Sequence, residues 1–404
     1  MALFVRAFSL VIQLNLSYNL SMFNFSSKLP NVGQTIFTTI SAKATACGAL
    51  NLGQGFPDFD GDEFLKQRVT HYIEEGFNQY APMTGVQSLR ESISTYFNKK
   101  YSLKINPDTE VTVTSGATEA LTASILAFVK EGDEVIIFDP SYDSYAPSIE
   151  LAGGVAIRLN LVGENFSIPF KKLEESLSDK TRMIIINSPH NPTGSSLGEA
   201  DWKRIATLIA ERNILILSDE VYEGIYFNEG NHFNPRKLEA IRDSLISVYS
   251  FGKSCHMTGW KVGYFIASEN LSYEVRKLHQ YITFSTFTPA QMALADYLGE
   301  KMDNFLELGE FYKKKCNFLV EGLKESRFKV LKPSSTYFCL LDYSEISSLS
   351  DVDFCMKLIE EHSIAAIPIS VFYENAPKDQ RIIRLCFAKN QETLERALEI
   401  LNTI

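Results

Sequence analysis

The chain has 404 residues, of which 45% are apolar and 22% are charged, a composition typical of a globular protein with a sizeable core. Its formal net charge of -10, with lysine and arginine scattered along the chain, argues against nucleic acid as a partner. The six cysteines lie far apart and show no CxxC spacing. We therefore expect no disulfide framework, no metal site, and a reducing, cytoplasmic location.

The first 25 residues are apolar, but they match neither a complete signal peptide nor a membrane span. Arg6 is their only positive residue, Asn15 and Asn19 interrupt the apolar run, and no small-x-small cleavage site follows. We expect residues 1–27 to form a disordered extension, with Met22 as an alternative translation start. No membrane association is expected.

The next segment mixes turns and helices. Residues 28–60 are expected to form an N-terminal arm that contributes to the smaller of two domains. The density of glycine and proline at residues 50–59 indicates a turn or an ordered loop. Residues 64–76 and 86–101 have helical patterns.

From Glu110 onward, short apolar runs alternate with helical stretches. Strands are predicted at residues 111–114, 135–138, 155–159, 183–187, 214–218, 245–249 and 262–267, with helices at 117–129, 142–151 and 199–211. This alternation predicts an α/β fold with a mostly parallel sheet and helices on both faces. The unbroken apolar runs MIII and ILIL fit strands that are buried on both faces.

After about residue 271 the pattern changes to long helical stretches that reach residue 325. Strand-like pieces at 336–341, 365–367 and 382–387 and a helix at 392–401 follow. This change predicts a second, smaller α+β domain. We expect the large domain to span residues 61–290 and the small domain residues 291–404.

Side chains that could contact a ligand follow the first predicted strands, and ligands of open parallel sheets bind at the carboxyl ends of the strands. The turn Gly116-Ala117-Thr118 opens a helix whose free N–H groups could hold a phosphate, although a plain helix cap explains it equally well. Tyr142 could stack on a planar ring, although packing within a turn is commoner for a tyrosine.

Two further strand ends carry polar groups. Asn187 and Asn191 supply amide donors in a loop fixed by two prolines. Asp219 closely follows an apolar strand, where desolvation of its carboxylate is costly without a cationic partner. A structural salt bridge is the alternative explanation for that aspartate.

The loop at residues 250–264 carries Ser250, Lys253 and Lys261 between two apolar strands. A lysine there can be a fixed cation for an anion or an amine nucleophile, and a solvated loop with ordinary surface lysines is as plausible on this stretch alone. Taken together, the strand ends fit a planar, phosphorylated, nitrogen-containing ring that forms an imine with lysine. Pyridoxal phosphate matches this description.

The chain resembles the fold type I pyridoxal-phosphate-dependent aminotransferases over nearly its whole length, from about Lys28 to the C-terminus. It is most similar to the methionine aminotransferases and to the kynurenine–glutamine aminotransferase group. The resemblance is carried by NLGQGFPDFDG (51–61), NQYAPMTG (78–85), TSGATEAL (114–121), PSYDSY (140–145), NSPHNPTG (187–194), SDEVYE (218–223), SFGKSCHMTGWKVGY (250–264) and IRLCFAK (383–389).

The resemblance implies a role for each predicted site residue. Lys253 would be the Schiff-base lysine and the base that carries the proton between substrate and cofactor. Asp219 would keep the pyridinium nitrogen protonated, and Tyr222 and Asn191 would hydrogen-bond the ring oxygen. Tyr142 would stack on the ring.

Further implied roles concern the phosphate and the substrate. Ser250, Lys261 and the turn Gly116-Ala117-Thr118 would hold the phosphate, and Tyr80 would reach it from the other subunit of a homodimer with shared active sites. Arg384 would bind the substrate carboxylate as a bidentate pair, and Gly55 would lie against the substrate by its backbone.

The resemblance implies amino transfer from an apolar or aromatic amino acid, with methionine favoured, to a 2-oxo acid in a ping-pong reaction. Kynurenine-preferring relatives carry histidine at the position of Ser285, so kynurenine is a weaker candidate. A kynurenine–glutamine aminotransferase, a carbon–sulfur lyase and a decarboxylase on the same fold stay open as alternatives. A transcription regulator built on this fold would need a DNA-binding domain ahead of it, which residues 1–27 cannot supply.

Overall fold

The computed structural model describes residues 26–404, so the extension predicted at residues 1–27, with its alternative start at Met22, lies almost entirely outside the described residues. The chain divides into two units, Met1–Gly33 and Gln34–Ile404. The described part of the first unit is a short turn, in which the Val32 N–H donates to the Leu29 carbonyl oxygen at 3.2 Å. All elements below belong to the second unit.

The second unit contains α-helices and strands in alternation. The helices are α1 (Ile36–Cys47), α2 (Glu63–Glu74), α3 (Gln87–Tyr101), α4 (Gly116–Phe128), α5 (Tyr145–Leu151), α6 (Phe170–Ser176), α7 (Glu199–Ile209), α8 (Glu239–Arg242), α9 (Phe251–Ser254), α10 (Glu269–Ile282), α11 (Thr288–Glu300), α12 (Met302–Leu306), α13 (Leu308–Gly322), α14 (Asp351–His362) and α15 (Gln391–Leu401). The strands are β1 (Leu50–Asn51), β2 (Val111–Thr114), β3 (Glu134–Asp139), β4 (Val155–Asn160), β5 (Thr181–Asn187), β6 (Leu215–Asp219), β7 (Leu245–Ser250), β8 (Gly263–Ile266), β9 (Lys329–Leu331), β10 (Phe338–Asp342), β11 (Ile364–Ala365), β12 (Ile367–Pro368) and β13 (Ile382–Cys386).

The central sheet has seven strands in the order β2-β8-β7-β6-β5-β3-β4. Only β8 runs antiparallel to its neighbours β2 and β7, so the predicted mostly parallel sheet is confirmed. Thr114 and Ser250 both pair with Gly263, which brings the start of β8 to the edge where β2 and β7 end. That edge therefore collects the loops that follow the parallel strands.

The faces of this sheet are covered by helices, as the unbroken apolar runs predict. On β5, Met183 and Ile185 pack into the core beneath α4, α5 and α10, whereas Ile184 and Ile186 pack into the core beneath α7. Alternate side chains of one strand thus enter two different cores, because successive strand residues point to opposite faces.

A four-stranded antiparallel sheet in the order β12-β13-β10-β9 forms the second sheet. Leu50 of β1 pairs with Ile364 of β11, so the N-terminal arm adds to this part of the chain. Helix α11 spans the predicted domain boundary at residues 290/291 and packs against α2 and α3. The division into two domains stays a prediction.

The sequence did not predict the helices α1, α6, α8, α9 and α14 or the strands β1 and β9. Helix α1 is rich in threonine and isoleucine, which have modest helix propensity. It forms because the Thr35 side chain accepts the Thr38 N–H at its start, and Gly48 ends it in the left-handed conformation. Within residues 26–404, no helix is both long enough and apolar enough to cross a membrane.

Candidate active site

A cavity of about 340 Å³ lies at the carboxyl edge of the central sheet. Every predicted site residue except Tyr80 lines it: Gly55, Gly116, Ala117, Thr118, Tyr142, Asn191, Asp219, Tyr222, Ser250, Lys253, Lys261 and Arg384. These residues lie in loops, at the ends of β6 and β7, at the start of α4, in α9 and in β13, and up to 329 positions separate them, between Gly55 and Arg384. The fold thus brings together groups that the sequence placed only at successive strand ends.

Asp219 is the last residue of β6 and is 3% exposed. The Tyr145 hydroxyl donates to its Oδ2 at 2.6 Å, and the Val221 N–H donates to its Oδ1 at 3.3 Å. Burial raises the pKa of this carboxyl to about 6. Asn187 fixes the same strand end, because its Nδ2 donates to the Asp219 carbonyl oxygen at 2.8 Å.

Lys253 lies in α9, the short helix that directly follows β7. Its Nζ is 3.4 Å from the Gly55 carbonyl oxygen, and protein surrounds it on the sides away from the cavity. Burial lowers the pKa of this amine to about 8, and the nearby cations of Arg384 and Lys261 act in the same direction. The structure therefore makes one lysine of the loop much easier to deprotonate.

The opposite end of the cavity is formed by the start of α4 and by Lys261. Gly116 has φ +77°, and a Cβ on it would lie 3.3 Å from the Lys261 Nζ. A Cβ on Gly263 would lie 2.7 Å from the Ala117 backbone nitrogen. Both glycines therefore permit the close approach of the β8 start to the helix, and Lys261 is exposed beside it in a left-handed conformation.

Arg384 of β13 is 2% exposed, although it carries a guanidinium. Its Nη1 donates to Asn191 Oδ1 at 2.8 Å and its Nη2 donates to the Gly53 carbonyl oxygen at 3.1 Å. The guanidinium carbon lies 4.0 Å from the centre of the Phe338 ring. Burial lowers the pKa of this group to about 10. Its Nε has no hydrogen-bond partner within the described part of the chain.

Gly55 lies between the arginine and the lysine. Its carbonyl oxygen accepts from the Tyr337 hydroxyl at 2.7 Å, and a Cβ on it would lie 3.0 Å from Phe338 Cζ and 4.0 Å from Arg384 Nη2. A side chain at this position would press on the phenyl ring and narrow the space beside the guanidinium.

Two tyrosines line the cavity between these ends. Tyr222 is 2% exposed, its ring lies edge-on to that of Tyr337 with centroids 5.2 Å apart, and burial raises the pKa of its hydroxyl. Tyr142 is half-buried and lies edge-on to Tyr145, with centroids 5.6 Å apart. The cavity therefore offers an acid, an amine, aromatic rings and two cations within one space.

A family model described as aminotransferase class I and II matches residues 48–401. The chain belongs to this family. It is an aminotransferase, and the predicted resemblance and fold are confirmed. Members of the family depend on pyridoxal phosphate and act on amino acids and 2-oxo acids.

Known relatives align with almost the whole length of this aminotransferase. A methionine aminotransferase of Escherichia coli K12 is 49% identical over 94% of this chain and 98% of its own length. A kynurenine–oxoglutarate transaminase of Dictyostelium discoideum is 32% identical over 93% of this chain and 95% of its own length. The crystal structure of Escherichia coli YbdL, for which a methionine aminotransferase function was identified, superposes with a TM-score of 0.93 and is 48% identical in sequence. The match covers 95% of this chain and 100% of YbdL.

Tyr80 of the aminotransferase lies outside the cavity and is 84% exposed. Its ring is edge-on to Phe284, with centroids 5.4 Å apart. Tyr281 and Phe287, which flank Phe284 in the sequence, are 90% and 53% exposed. Within one chain, therefore, Tyr80 does not join the other predicted residues, and its predicted contact requires a second subunit.

Some residues that line the cavity of the aminotransferase, or that contact its lining residues, were not identified from the sequence. Tyr145 stands three positions after Tyr142 in the PSYDSY motif, and its contact with Asp219 could not be derived from that spacing. Phe37 belongs to α1, which was not predicted as a helix. Phe338 starts β10, and only the alternation of the small sheet places it beneath Arg384.

Proposed function

We propose that this aminotransferase transfers the amino group of methionine, or of another apolar or aromatic amino acid, to a 2-oxo acid with pyridoxal phosphate as cofactor. One observation carries the proposal: Lys253, Asp219 and Arg384 line a single cavity in a chain that is 49% identical to a methionine aminotransferase. Ping-pong kinetics are expected, because the amino acid and the 2-oxo acid use the same cavity in turn.

The donor groups of the cavity fit pyridoxal phosphate, which when bound supplies an aldehyde that accepts amines and a ring that withdraws electrons. At one end, the free N–H groups of Gly116, Ala117 and Thr118, with Lys261 beside them, suit a phosphate. At the other end, Asp219 suits a ring nitrogen that needs a buried acid partner. Tyr142 lines the space between the two ends.

Lys253 serves as the reactive amine and then as the base that moves the proton at the substrate α-carbon. Only a neutral amine can do either, and at pH 7 a lysine with a pKa near 8 is about one-tenth neutral, whereas an ordinary lysine is neutral at well under about 0.1%. Its position near Gly55 keeps Nζ within the cavity. Burial thus prepares this residue for its role.

Asp219 holds the ring nitrogen in its protonated form, because an ionised carboxylate in a buried setting strongly favours a cationic partner. Tyr145 fixes the orientation of that carboxylate through its hydrogen bond to Oδ2. Tyr222 and Asn191 hydrogen-bond the ring oxygen in this proposal, since both line the cavity beside Lys253 and Asp219.

Arg384 binds the carboxylate shared by both substrates. A guanidinium presents two parallel donors that match a carboxylate, and burial strengthens the pair. Asn191 and Gly53 hold the guanidinium from one side, and Phe338 supports it from below. Gly55 leaves the space in which the substrate backbone lies.

The side chain of the amino donor meets apolar walls. Phe37, Phe56, Leu121, Val262 and Phe338 line the cavity, and a thioether makes favourable contacts with aromatic rings. In the wall formed by residues 26–404 of one subunit, the only lysines and arginines are the three already assigned to the phosphate, the proton transfer and the substrate carboxylate. The wall therefore offers no free cation to an acidic donor side chain, although Asp143 also lines it, and its apolar part fits a donor such as methionine.

We further propose a homodimer with shared active sites, in which Tyr80 of each subunit contacts the phosphate in the other. The exposure of Tyr80 and Phe287, which line one surface pocket, supports it, because exposed aromatic side chains are enriched at protein interfaces. Sedimentation analysis should find a dimer, and Tyr80→Phe should weaken cofactor binding while the dimer persists.

A cytoplasmic location is also proposed. It is supported by the six cysteines, all free in the structure, and by the near-full-length match to an enzyme of Escherichia coli.

A panel of amino donors and 2-oxo acids, compared by kcat/KM, tests the proposed function. Methionine should be the best donor or among the best, with phenylalanine, tyrosine and leucine next and kynurenine and glutamine lower. Kynurenine as the best donor would favour the second candidate, which the Dictyostelium discoideum relative supports. Release of thiol or pyruvate without a 2-oxo acid requirement would instead indicate a carbon–sulfur lyase.

A further inference from the structure

A buried histidine and glutamate lie directly behind the proposed phosphate seat. Glu119 is in the first turn of α4, and its Oε2 accepts the Ser115 N–H at 2.7 Å. That N–H immediately precedes the turn Gly116-Ala117-Thr118, which lines the cavity and opens α4, where the first N–H groups of a helix lack intrahelical partners. An unbalanced carboxylate at this position would repel a phosphate bound at that turn.

His279 of α10 contacts the other oxygen of Glu119. Its side chain is fully buried, its Nδ1 lies 2.6 Å from Glu119 Oε1, and its Nε2 lies 2.9 Å from the Met83 carbonyl oxygen. Both partners are therefore oxygen atoms, one on each side of the ring. No solvent reaches the histidine to replace either contact.

The two distances determine how many protons the pair holds. A carbonyl oxygen can only accept, so the hydrogen bond with Met83 requires a proton on Nε2. A bare Nδ1 would then direct its lone pair at a carboxylate oxygen 2.6 Å away, which is repulsive. A second proton must lie between Nδ1 and Oε1, because Glu119 Oε2 already accepts from the Ser115 N–H.

We propose that His279 and Glu119 share this second proton, and that the pair thereby presents no net negative charge to the cofactor phosphate. The charge is balanced whether the proton resides on the imidazole or on the carboxyl group. His279 touches neither cofactor nor substrate, so it is a positioning residue that acts through Glu119. The proposal rests on the proposed function only for the location of the phosphate.

Glutamine substitutions separate this electrostatic role from simple packing. In His279→Gln, the amide can still donate to Met83, but Glu119 loses its proton partner and stays anionic beside the phosphate seat. In Glu119→Gln, the amide can donate to Nδ1 while its oxygen accepts from the Ser115 N–H. The hydrogen bonds persist in that variant, and the charge is gone.

The dissociation constant of pyridoxal phosphate should be measured for the wild type, both single variants and the double variant. His279→Gln should raise it at least about ten-fold, the effect of one uncompensated charge at this range. Glu119→Gln should change it less than about two-fold, and adding Glu119→Gln to His279→Gln should restore tight binding. The exposed His71 provides a control, since His71→Gln should leave the constant unchanged. A double variant as weak as His279→Gln would overturn the proposal.

A second measurement does not depend on the cofactor or on the stability of any variant. In cofactor-free wild-type enzyme with ¹⁵N-labelled histidine, one buried imidazole should show a proton on Nε2 and a strongly hydrogen-bonded proton shared by Nδ1. A His279 signal with only one protonated nitrogen and no shared proton would contradict the inference. Failure of the wild type to bind pyridoxal phosphate would refute the proposed function instead, and the proton count would still decide this inference.

Discussion

The two ends of the cavity differ in how they treat a lysine. Lys253 and Lys261 lie eight positions apart on one loop, yet the first is enclosed beside Gly55 and the second is exposed beside Gly116. Burial lowers the pKa of Lys253 to about 8, and the charge of Lys261 contributes to that shift. Two lysines of one loop therefore lie in different surroundings, and we propose that burial makes Lys253 the nucleophile.

The two acidic side chains near the cavity, Asp219 and Glu119, also differ in their surroundings. Asp219, at the proposed ring end, is buried and accepts a hydrogen bond from Tyr145, whereas Glu119, at the proposed phosphate end, contacts His279. Substitutions at the ring end should therefore reduce kcat, and substitutions at the phosphate end should reduce cofactor affinity.

Lys253→Ala should have the largest effect. It removes the amine that reacts, so kcat should fall by roughly 10⁴-fold or more, and the visible absorbance of the cofactor-loaded enzyme should disappear. Absorbance spectra and initial rates measure the two effects. An unchanged spectrum would remove Lys253 from the reaction.

Asp219→Ala should lower kcat by about 10³-fold, with a much smaller change in KM, because the carboxylate stabilises charge that develops during proton transfer. Steady-state kinetics with saturating cofactor measure both constants. Tyr145→Phe keeps the carboxylate and loses one hydrogen bond to it, so it should retain most of the activity. Equal losses of kcat and of substrate affinity in Asp219→Ala would count against the proposed role.

Arg384→Ala should raise KM for both the amino acid and the 2-oxo acid by about 100-fold, the worth of a buried bidentate pair. The cofactor should stay bound, because the guanidinium contacts Asn191 and Gly53 rather than the phosphate end. Absorbance of the loaded variant provides the control. Loss of cofactor from this variant would show that the carboxylate assignment is wrong.

The rate at which cofactor-free enzyme captures pyridoxal phosphate should rise with pH and level off above about 8. The sign follows from the neutral amine: raising the pH through the pKa of Lys253 increases the reactive fraction, about ten-fold between pH 7 and the plateau. Stopped-flow absorbance gives the profile. A midpoint above pH 10 would mean that burial does not activate the lysine.

Lys261→Ala should have the smallest effect. An exposed cation contributes about 1 kcal/mol to an ion pair, so the dissociation constant of the cofactor should rise about five-fold. At saturating cofactor, kcat should stay within about two-fold of the wild type. A large fall in kcat in this variant would erase the distinction between the two lysines.

Much of this site could be predicted from the sequence because the parallel strands are marked by apolar runs, and the residues after Thr114, Asn187 and Ser250 must then meet at one edge. The role of Lys253 over Lys261 came from resemblance to a family, since the loop alone favoured neither. The spacing of the strands identified the candidate site residues, whereas only the tertiary structure shows that Lys253 and Lys261 lie in different surroundings.

Pairings across long stretches of chain could not be predicted. Tyr145 and Asp219 are 74 positions apart, and Glu119 and His279 are 160 apart, so only the packed sheet and helices bring them into contact. Helix α1 was missed because its threonines favour other conformations, and Phe37 was missed with it. These contacts depend on long-range packing, which local patterns do not record.

The identity of the lysine that binds the cofactor can be determined chemically. The enzyme is loaded with pyridoxal phosphate, reduced with borohydride, digested and mapped by mass spectrometry. The account predicts that the reduced cofactor is attached to the peptide that contains Lys253, and that Lys261→Ala leaves this result unchanged. Attachment to Lys261 or to any other lysine would contradict the claim that burial selects Lys253 as the reactive amine.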